Sequence, residues 1–338
     1  MDKKLKSRLL TASKFLFAAA IITYMLATGK LDLHEIASFS HRKMMILKVV
    51  LTLAGVYLLV TIRWYYLLKW QGLSTTFKTV LRINCIGLFF NCFMPGAVGG
   101  DIVKAFYVAK ENTANRTRAI VTIIIDRIMG FETLMLVAFV ALIANYRVMS
   151  SNIHLKGLGL LVALYIGISI VAAAAVFSRR VKRFLLWIGV KKLVTMLPKK
   201  EILFKIYDAF HIYANQKQRL LKAMAITIPL DLLNIYMFYT IGREMGESAV
   251  AATSYFTAVP VGLLMLALPV APAGIGVGQA AFHQLFEWFG ADSGQIGATI
   301  ITVYQIITIT VNMGFVVVYL WNKKEVQAAV RAAREEAS

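Results

Sequence analysis

The sequence predicts an all-α polytopic membrane protein with six full transmembrane helices and two re-entrant, Pro/Gly-broken hairpins arranged as an inverted repeat. The first observation is the composition: 59% of the 338 residues are hydrophobic, only 16% are charged, and the mean hydropathy is +0.69. A soluble protein carries roughly a quarter charged residues. The other two observations are long apolar runs that recur along the chain and basic residues that gather between them.

The six full spans follow from length, because about twenty mainly apolar residues cross a bilayer as a helix. The runs that meet this length are 11–29, 44–62, 119–146, 157–178, 221–241 and 296–321. The first run follows a basic start, as a signal peptide does, but its end lacks a convincing cleavage site. We therefore expect an uncleaved first span.

Two further apolar stretches, 79–110 and 249–289, are interrupted near the middle by Pro and Gly. Proline removes a backbone donor and glycine permits positive φ, so each stretch is predicted to be a hairpin of two half-helices. Broken backbone at membrane depth must be satisfied by protein or by a water-filled cavity, which makes both breaks candidate walls of a site. The alternative is a pair of surface loops that join ordinary short spans.

Basic residues set the orientation, because short loops rich in Lys and Arg stay in the cytoplasm. With the N-terminus inside and both hairpins returning to their side of entry, 29 of the 37 Lys and Arg residues lie on inner segments and 7 on outer ones. The prediction is a protein of the cell (plasma or inner) membrane with both termini cytoplasmic. Residues 1–322 form one domain of two inverted halves, about 44–146 and 221–321, with a basic cytoplasmic loop at 179–222 and a tail at 323–338.

Ionisable side chains inside the spans are the first candidates for a site, since a charge at the centre of a span costs roughly 2.5–3.5 kcal/mol. Asp126 and Arg127 lie in one span and Asp231 in another. As sequence neighbours on a helix, Asp126 and Arg127 point about 100° apart and cannot face each other. Asp126 instead shares a stripe of four-residue spacing with Arg118 and Gly130, which we interpret as the wall of a cavity.

Two more charged positions are candidates, one at the inner end of a span and one directly after the glycines that break the first hairpin. Arg63 ends a span, where it either snorkels to the interface or contacts a lipid phosphate. Asp101 follows two glycines and could cap its helix and pair with Lys104 three residues later.

The sequence lacks the motifs of several other protein classes. It has no phosphate-binding loop, no paired carboxylates at useful spacing, and no His or Cys set at metal-ligand spacing, so neither catalytic residues, nor a metal, nor a cofactor is predicted. The net charge of +20 sits at membrane flanks rather than on one face of a soluble domain, which argues against nucleic acid as a partner.

Five short segments carry a family resemblance: Arg63-Trp64, Asn91-x-x-x-Pro95-Gly-x-x-Gly99-Gly100-Asp101-x-x-Lys104, Arg118, Asp126-Arg127-x-x-Gly130, and Pro269-x-x-Pro272-x-Gly274-x-Gly276. Together they resemble the transmembrane flippase domain of lysylphosphatidylglycerol synthases, over nearly the whole chain. Full-length synthases add a cytoplasmic aminoacyl-transferase domain, which the seventeen residues after Trp321 do not provide, so the resemblance is to a stand-alone member. Gln279 stands where the family often has Glu, which argues against proton coupling at that position.

The resemblance implies translocation of a phospholipid or an isoprenoid-phosphate carrier between leaflets, through a cavity bounded by the two hairpins. The expected partner is therefore an anionic membrane lipid, and homo-oligomerisation is left open. Fifteen residues make up the predicted substrate-binding set: Arg63, Asn91, Pro95, Gly99, Gly100, Asp101, Lys104, Arg118, Asp126, Arg127, Asp231, Pro272, Gly274, Gly276 and Gln279. The alternatives are an integral-membrane enzyme acting on a lipid-linked substrate and an assembly or regulatory subunit without transport.

Overall fold

The computed structural model describes residues 20, 22–27, 39–92, 99–177, 217–267, 271, 273–290 and 294–321. Every regular element in these ranges is helical. The helices of eight or more residues, with two short ones, are α1 (Lys43–Trp70), α2 (Phe77–Asn91), α3 (Gly99–Glu111), α4 (Arg116–Ala144), α5 (Tyr146–Ser151), α6 (Ile153–Phe177), α7 (Lys217–Glu244), α8 (Ala252–Ala267), α9 (Val277–Trp288), α10 (Gln295–Gly314) and α11 (Val316–Trp321).

Five of these helical segments are long and apolar enough to cross a membrane: α1, α4, α6, α7, and α10 continued by α11. They coincide with five of the six predicted spans, and the all-α polytopic membrane class is confirmed. The predicted span 11–29 falls mainly outside the described residues, as do most of the basic loop 179–222 and the tail 323–338.

Both Pro/Gly-interrupted stretches are pairs of shorter helices, α2 with α3 and α8 with α9. These helices have 15, 13, 16 and 12 residues, which at 1.5 Å per residue is below the roughly 30 Å of a bilayer core. The division of each stretch into two helices is therefore as predicted. The return of each hairpin to its side of entry stays a prediction.

The first hairpin is closed by direct backbone packing of its two helices. A Cβ atom at Gly100 would lie 2.2 Å from the carbonyl oxygen of Gly87, so only glycine permits this approach. The Asn91 side chain accepts a hydrogen bond from the Gly100 backbone N–H at 2.6 Å, which satisfies one of the donors at the start of α3. Asn91 and Gly100 thus fix the angle at which the chain returns.

The second hairpin turns through left-handed backbone. Gly274 and Gly276 have φ of +70° and +85°, which L side chains rarely adopt. Gly276 N–H donates to the Gln279 side chain at 2.7 Å, so an amide at the start of α9 closes this turn. The core of this half is aromatic, with Phe238 of α7 stacked on Phe282 of α9 at 5.0 Å between ring centroids.

The main helix contacts are the same when the two halves are exchanged. α1 packs against α2 and α4 in the first half, and α7 packs against α8 and α10 in the second. Between the halves, α1 packs directly on its counterpart α7. The contact of α4 with α8 corresponds to the contact of α10 with α2. The contact of α1 with α10 corresponds in the same way to the contact of α7 with α4. This exchange pattern is what a two-fold repeat produces, and the inverted orientation of the two halves stays a prediction.

Candidate functional site

A buried ion pair joins the first two long helices. Arg63 of α1 donates through Nε to Asp126 Oδ1 of α4 at 2.7 Å, and the two side chains are only 6% and 11% exposed. Arg63 also donates through Nη1 to the Thr227 hydroxyl of α7 at 3.0 Å. Gly130 of α4 faces the same guanidinium, since a Cβ there would lie 3.7 Å from both of its Nη atoms. Arg63 therefore points into the bundle, and the snorkelling interpretation is wrong.

A second ionic group lies beside this pair at the start of α3. Asp101 accepts from Arg127 of α4, at 2.5 Å from Nε and 3.0 Å from Nη2. Lys104, one turn later in α3, lies 3.9 Å from Asp101 and is itself buried. Its ammonium group also lies 5.4 Å from the centroid of the Trp64 ring, within the range of a cation–π contact. Two planar N–H groups on one carboxylate fix the orientation of both side chains.

We call Arg63, Asp101, Lys104, Asp126 and Arg127 the ionic cluster. Three of these side chains carry a positive charge and two carry a negative charge, so one positive charge is left over inside the protein. All five belong to the first half of the chain, and Arg127 is the most exposed, with 35% of its side chain accessible. Attraction between such buried charges is several times stronger than between charges on a solvent-exposed surface. The ionic cluster therefore has both the charge and the donors to hold an anion.

Asp231 of α7 lies next to the ionic cluster but forms no ion pair with it. Its residue exposure is 1%, and the carboxylate lies within interaction range of Arg63 and of the Thr133 hydroxyl of α4. Among the described residues, its Oδ2 atom has no hydrogen-bond partner. A buried carboxylate oxygen without a donor is costly, so Asp231 needs a counter-charge, a proton or a bound group.

The second hairpin carries a neutral group at the corresponding place. Gln279 of α9 donates to the Gln305 side chain of α10 at 2.7 Å and to the Thr302 hydroxyl at 3.1 Å. Gln305 donates in turn to the backbone carbonyl of Ala273 in the turn at 3.1 Å. We call Gln279, Thr302 and Gln305 the amide group. Every one of these contacts is between uncharged partners.

The ionic cluster and the amide group occupy equivalent positions in the two halves. Asp101 is the third residue of α3 and Gln279 is the third residue of α9. Asp126 is the eleventh residue of α4, and Gln305 is the eleventh residue of α10. The third residue of each hairpin helix therefore contacts the helix that follows, but Asp101 does so through Arg127, the twelfth residue of α4, and Gln279 through Gln305. Asp126 pairs with Arg63 of α1 instead, so the contacts are charged in one half and uncharged in the other.

The structure brings together most of the predicted site residues. Arg63, Asp101, Lys104, Asp126 and Arg127 form the ionic cluster, with Asp231 beside it. Asn91 and Gly100 close the first hairpin, with Gly99 buried beside them, and Gly274, Gly276 and Gln279 close the second. Asp126 and Arg127 take different partners, as their divergence on the helix predicted.

Arg118 departs from the predicted cavity wall. It is exposed in the first turn of α4, about 12 Å along the helix axis from Asp126, so the four-residue stripe reaches the ionic cluster only from Thr122 onward. Pro95 and Pro272 lie outside the described residues. A group of three or more His, Cys, Asp or Glu side chains able to hold a metal is absent from the part of the chain that the structure describes.

Two polar contacts are not evident from the sequence pattern, one at the site and one on a face turned away from it. Trp64 donates its indole N–H to the Thr122 hydroxyl at 3.0 Å, which ties α1 to α4 beside Arg63. Glu132 of α4 is a further carboxylate inside a span, and it accepts from Tyr165 and Ser169 of α6 at 3.2 and 2.9 Å. The signal for Glu132 was its charge in an apolar run, but its face of the helix points away from the ionic cluster.

The fold and the ionic cluster define a multi-pass integral membrane protein with two broken hairpins and buried charges beside one of them. The chain belongs to the family described as the lysylphosphatidylglycerol synthase TM region, which matches residues 12–315. It is also similar to a UPF0104 membrane protein of Methanocaldococcus jannaschii, with 26% identity over 152 residues. That match covers 45% of this chain and 44% of the relative, so it spans less than half of either protein.

Proposed function

We propose that the protein moves an anionic lipid, a phospholipid or an isoprenoid phosphate, between the two leaflets of the cell membrane. The observation that carries this proposal is the ionic cluster, which places a surplus positive charge and several N–H donors among membrane-spanning helices. Family membership supports a role connected with membrane lipids. The positive-inside bias supports an orientation with both termini in the cytoplasm.

A lipid phosphate suits the ionic cluster because of the geometry of its donors. Arg127 is the accessible cation, and its guanidinium is already held in a plane by Asp101. A guanidinium binds phosphate through two parallel N–H groups, as it binds a carboxylate. We infer that the lipid phosphate competes with Asp101 for Arg127 and Lys104, while the acyl chains stay in the bilayer.

Release of Asp101 from its cations would also loosen the first hairpin. Asp101 lies in the first turn of α3, next to Gly100, which packs against Gly87 of α2. Headgroup binding and hairpin movement are thereby connected through a single side chain. Access to the other leaflet would follow from movement of one half against the other around this fixed site.

Transport is tested with the purified protein in vesicles of phosphatidylcholine that contain a trace of fluorescent phosphatidylglycerol. Quenching of the outer-leaflet fluorescence by a membrane-impermeant reductant reports how fast the labelled lipid crosses. We expect Asp126→Asn and Arg127→Ala to slow crossing at least tenfold. Arg82→Ala, which removes an exposed partner of Glu111, is the matched control and should retain the wild-type rate.

The outcomes separate this proposal from its alternatives. Normally folded Asp126→Asn and Arg127→Ala proteins that move lipid at the wild-type rate would show that the ionic cluster is not the site. Conversion of the lipid to a species of new mass, detected by mass spectrometry, would indicate an enzyme. A wild-type protein that moves no lipid but co-purifies with another membrane protein would indicate an assembly or regulatory subunit.

A further inference from the structure

We propose that Asp231 is a proton-binding site, and that proton binding there is coupled to the binding of an anionic headgroup at the ionic cluster. This inference rests on the proposed function and adds the energy source of the same transport step. Its basis is a buried carboxylate oxygen that has no donor among the described residues and belongs to a side chain one helical turn from the hydroxyl that Arg63 contacts.

The shared arginine is Arg63, which connects the two halves of the chain. Its Nε atom is bonded to Asp126 of the first half, and its Nη1 atom is bonded to Thr227 of the second. Thr227 lies one helical turn before Asp231 on the same face of α7, since side chains four residues apart are neighbours on a helix. Arg63 therefore neutralises the Asp126 carboxylate directly and neutralises the Asp231 carboxylate only in part.

No other charged side chain on the helices that pack against α7 competes for Asp231 within the described ranges. α8 and α10 contain no Lys, Arg, Asp or Glu. Their tyrosines are engaged elsewhere, with the Tyr255 hydroxyl donating to Glu247 and the Tyr304 ring packed against Phe238.

On α1, α4 and α7, the remaining charges face other partners. Lys48 contacts Glu244, Lys69 lies over the ring of Tyr65, and Arg127 contacts Asp101. Glu132 accepts from Tyr165 and Ser169, and Arg243 donates to backbone carbonyls at the far end of α7. Lys43, Arg116, Arg118, Lys217, Arg219 and Lys222 belong to the terminal turns of their helices. Arg63 is thus the charge that Asp231 depends on.

Charge balance couples the two sites. With a proton on Asp231, the ionic cluster keeps its surplus positive charge, and one phosphodiester neutralises it. When the Asp231 carboxylic acid gives its proton to water, the resulting carboxylate draws on Arg63, and three cations then face three carboxylates. A phosphate that binds at this point would add an unbalanced negative charge in a region of low dielectric. Protonation of Asp231 and headgroup binding therefore favour each other reciprocally.

The test measures the affinity of the detergent-solubilised full chain for fluorescent phosphatidylglycerol from mildly acidic to mildly alkaline pH. A phosphodiester keeps the same charge through this range, so any pH dependence belongs to the protein. We expect wild-type affinity to fall as pH rises, by up to about tenfold per pH unit for one linked proton. Asp231→Asn carries no titrating group and should bind with pH-independent affinity close to the acidic limit of the wild type.

Glu132→Gln is the matched control, because it makes the same acid-to-amide change inside a neighbouring span on a face turned toward α6. It should keep the wild-type pH dependence. A second measurement needs no variant: addition of phosphatidylglycerol to wild-type protein in weakly buffered solution should take up close to one proton per lipid bound, reported by a pH indicator.

Each outcome decides between the claims. A wild-type affinity that does not change with pH, or an Asp231→Asn protein that keeps the wild-type dependence, overturns the proton site while leaving the proposed function intact. The same pH dependence for zwitterionic phosphatidylcholine overturns the charge-balance argument. Absence of phosphatidylglycerol binding at every pH, together with absence of lipid movement in vesicles, overturns the proposed function and this inference with it.

Discussion

Replacement of Asp126 by Asn should destabilise the protein by about 3–5 kcal/mol, the usual loss when one partner of a buried ion pair is removed. The pair with Arg63 is separated by 2.7 Å and both side chains are nearly inaccessible. At an effective dielectric constant of about 20, unit charges about 4 Å apart attract each other by roughly 4 kcal/mol. The variant removes the carboxylate that neutralises Arg63 and leaves the buried guanidinium bonded to neutral groups such as the Thr227 hydroxyl.

A double-mutant cycle isolates this interaction from other effects of the substitution. Arg63→Met leaves Asp126 without its cation, and the double variant Arg63→Met/Asp126→Asn removes both charges. We expect the double variant to lose less stability than the sum of the single variants, with a coupling of about 2–3 kcal/mol. Unfolding in mixed detergent micelles, followed by far-UV circular dichroism, gives the free energy of unfolding for each protein.

An exposed ion pair of nearly the same length provides the comparison. Arg82 and Glu111 are 2.8 Å apart, but their side chains are 28% and 39% exposed. Glu111→Gln should therefore cost less than about 1 kcal/mol. If Asp126→Asn loses no more stability than Glu111→Gln, or if the Arg63 and Asp126 losses are additive, then the buried pair does not exist as described.

Three further predictions test the hairpin, the helix contact and the topology. Gly100→Ala should destabilise the first hairpin by about 1–3 kcal/mol in the same unfolding assay, because the added Cβ meets a backbone oxygen at 2.2 Å. The control is Gly157→Ala, whose added Cβ has no neighbour within 4 Å and which should be neutral or slightly stabilising. Trp64→Phe removes the indole hydrogen bond and should cost about 1 kcal/mol by that assay, while retained stability would show the bond to be unimportant. After both native cysteines are replaced, the thiol of Thr113→Cys should react with an impermeant thiol reagent only from the inside of oriented vesicles, and the thiol of Ser248→Cys only from the outside. Reaction of both from one side would refute the predicted topology.

The helical elements could be predicted because their causes are local. Pro and Gly disrupt helices wherever they cluster, so the breaks near Gly100 and Gly276 were evident from the sequence. Long apolar runs determine spans in the same direct way. The ends were less accurate: the span predicted for 44–62 continues as α1 to Trp70, because aromatic and basic residues at an interface are compatible with further helix.

The partners in the site could not be predicted, because they depend on tertiary packing. The angle between Asp126 and Arg127 indicated that they diverge, but not that Asp126 pairs with Arg63, 63 residues away in the sequence. Lys104 was expected to pair with Asp101 three residues before it, yet Arg127 forms the shorter contact with that carboxylate. Sequence spacing indicates which side chains are neighbours on one helix. The packing of the helices determines which side chains from other helices contact the same carboxylate.

The ionic cluster of the first half and the uncharged amide group of the second half differ in a way that affects ion leakage across the membrane. In the proposed transport step a headgroup anion displaces Asp101 from its cations, whereas the amide group, where Gln279 and Gln305 are bonded to each other, offers the anion no positive charge. One bound lipid therefore weakens one hairpin and leaves the other closed. Under the proposed function, we expect the protein to admit a headgroup from one side without opening a continuous aqueous path, so that ion gradients survive each transport cycle.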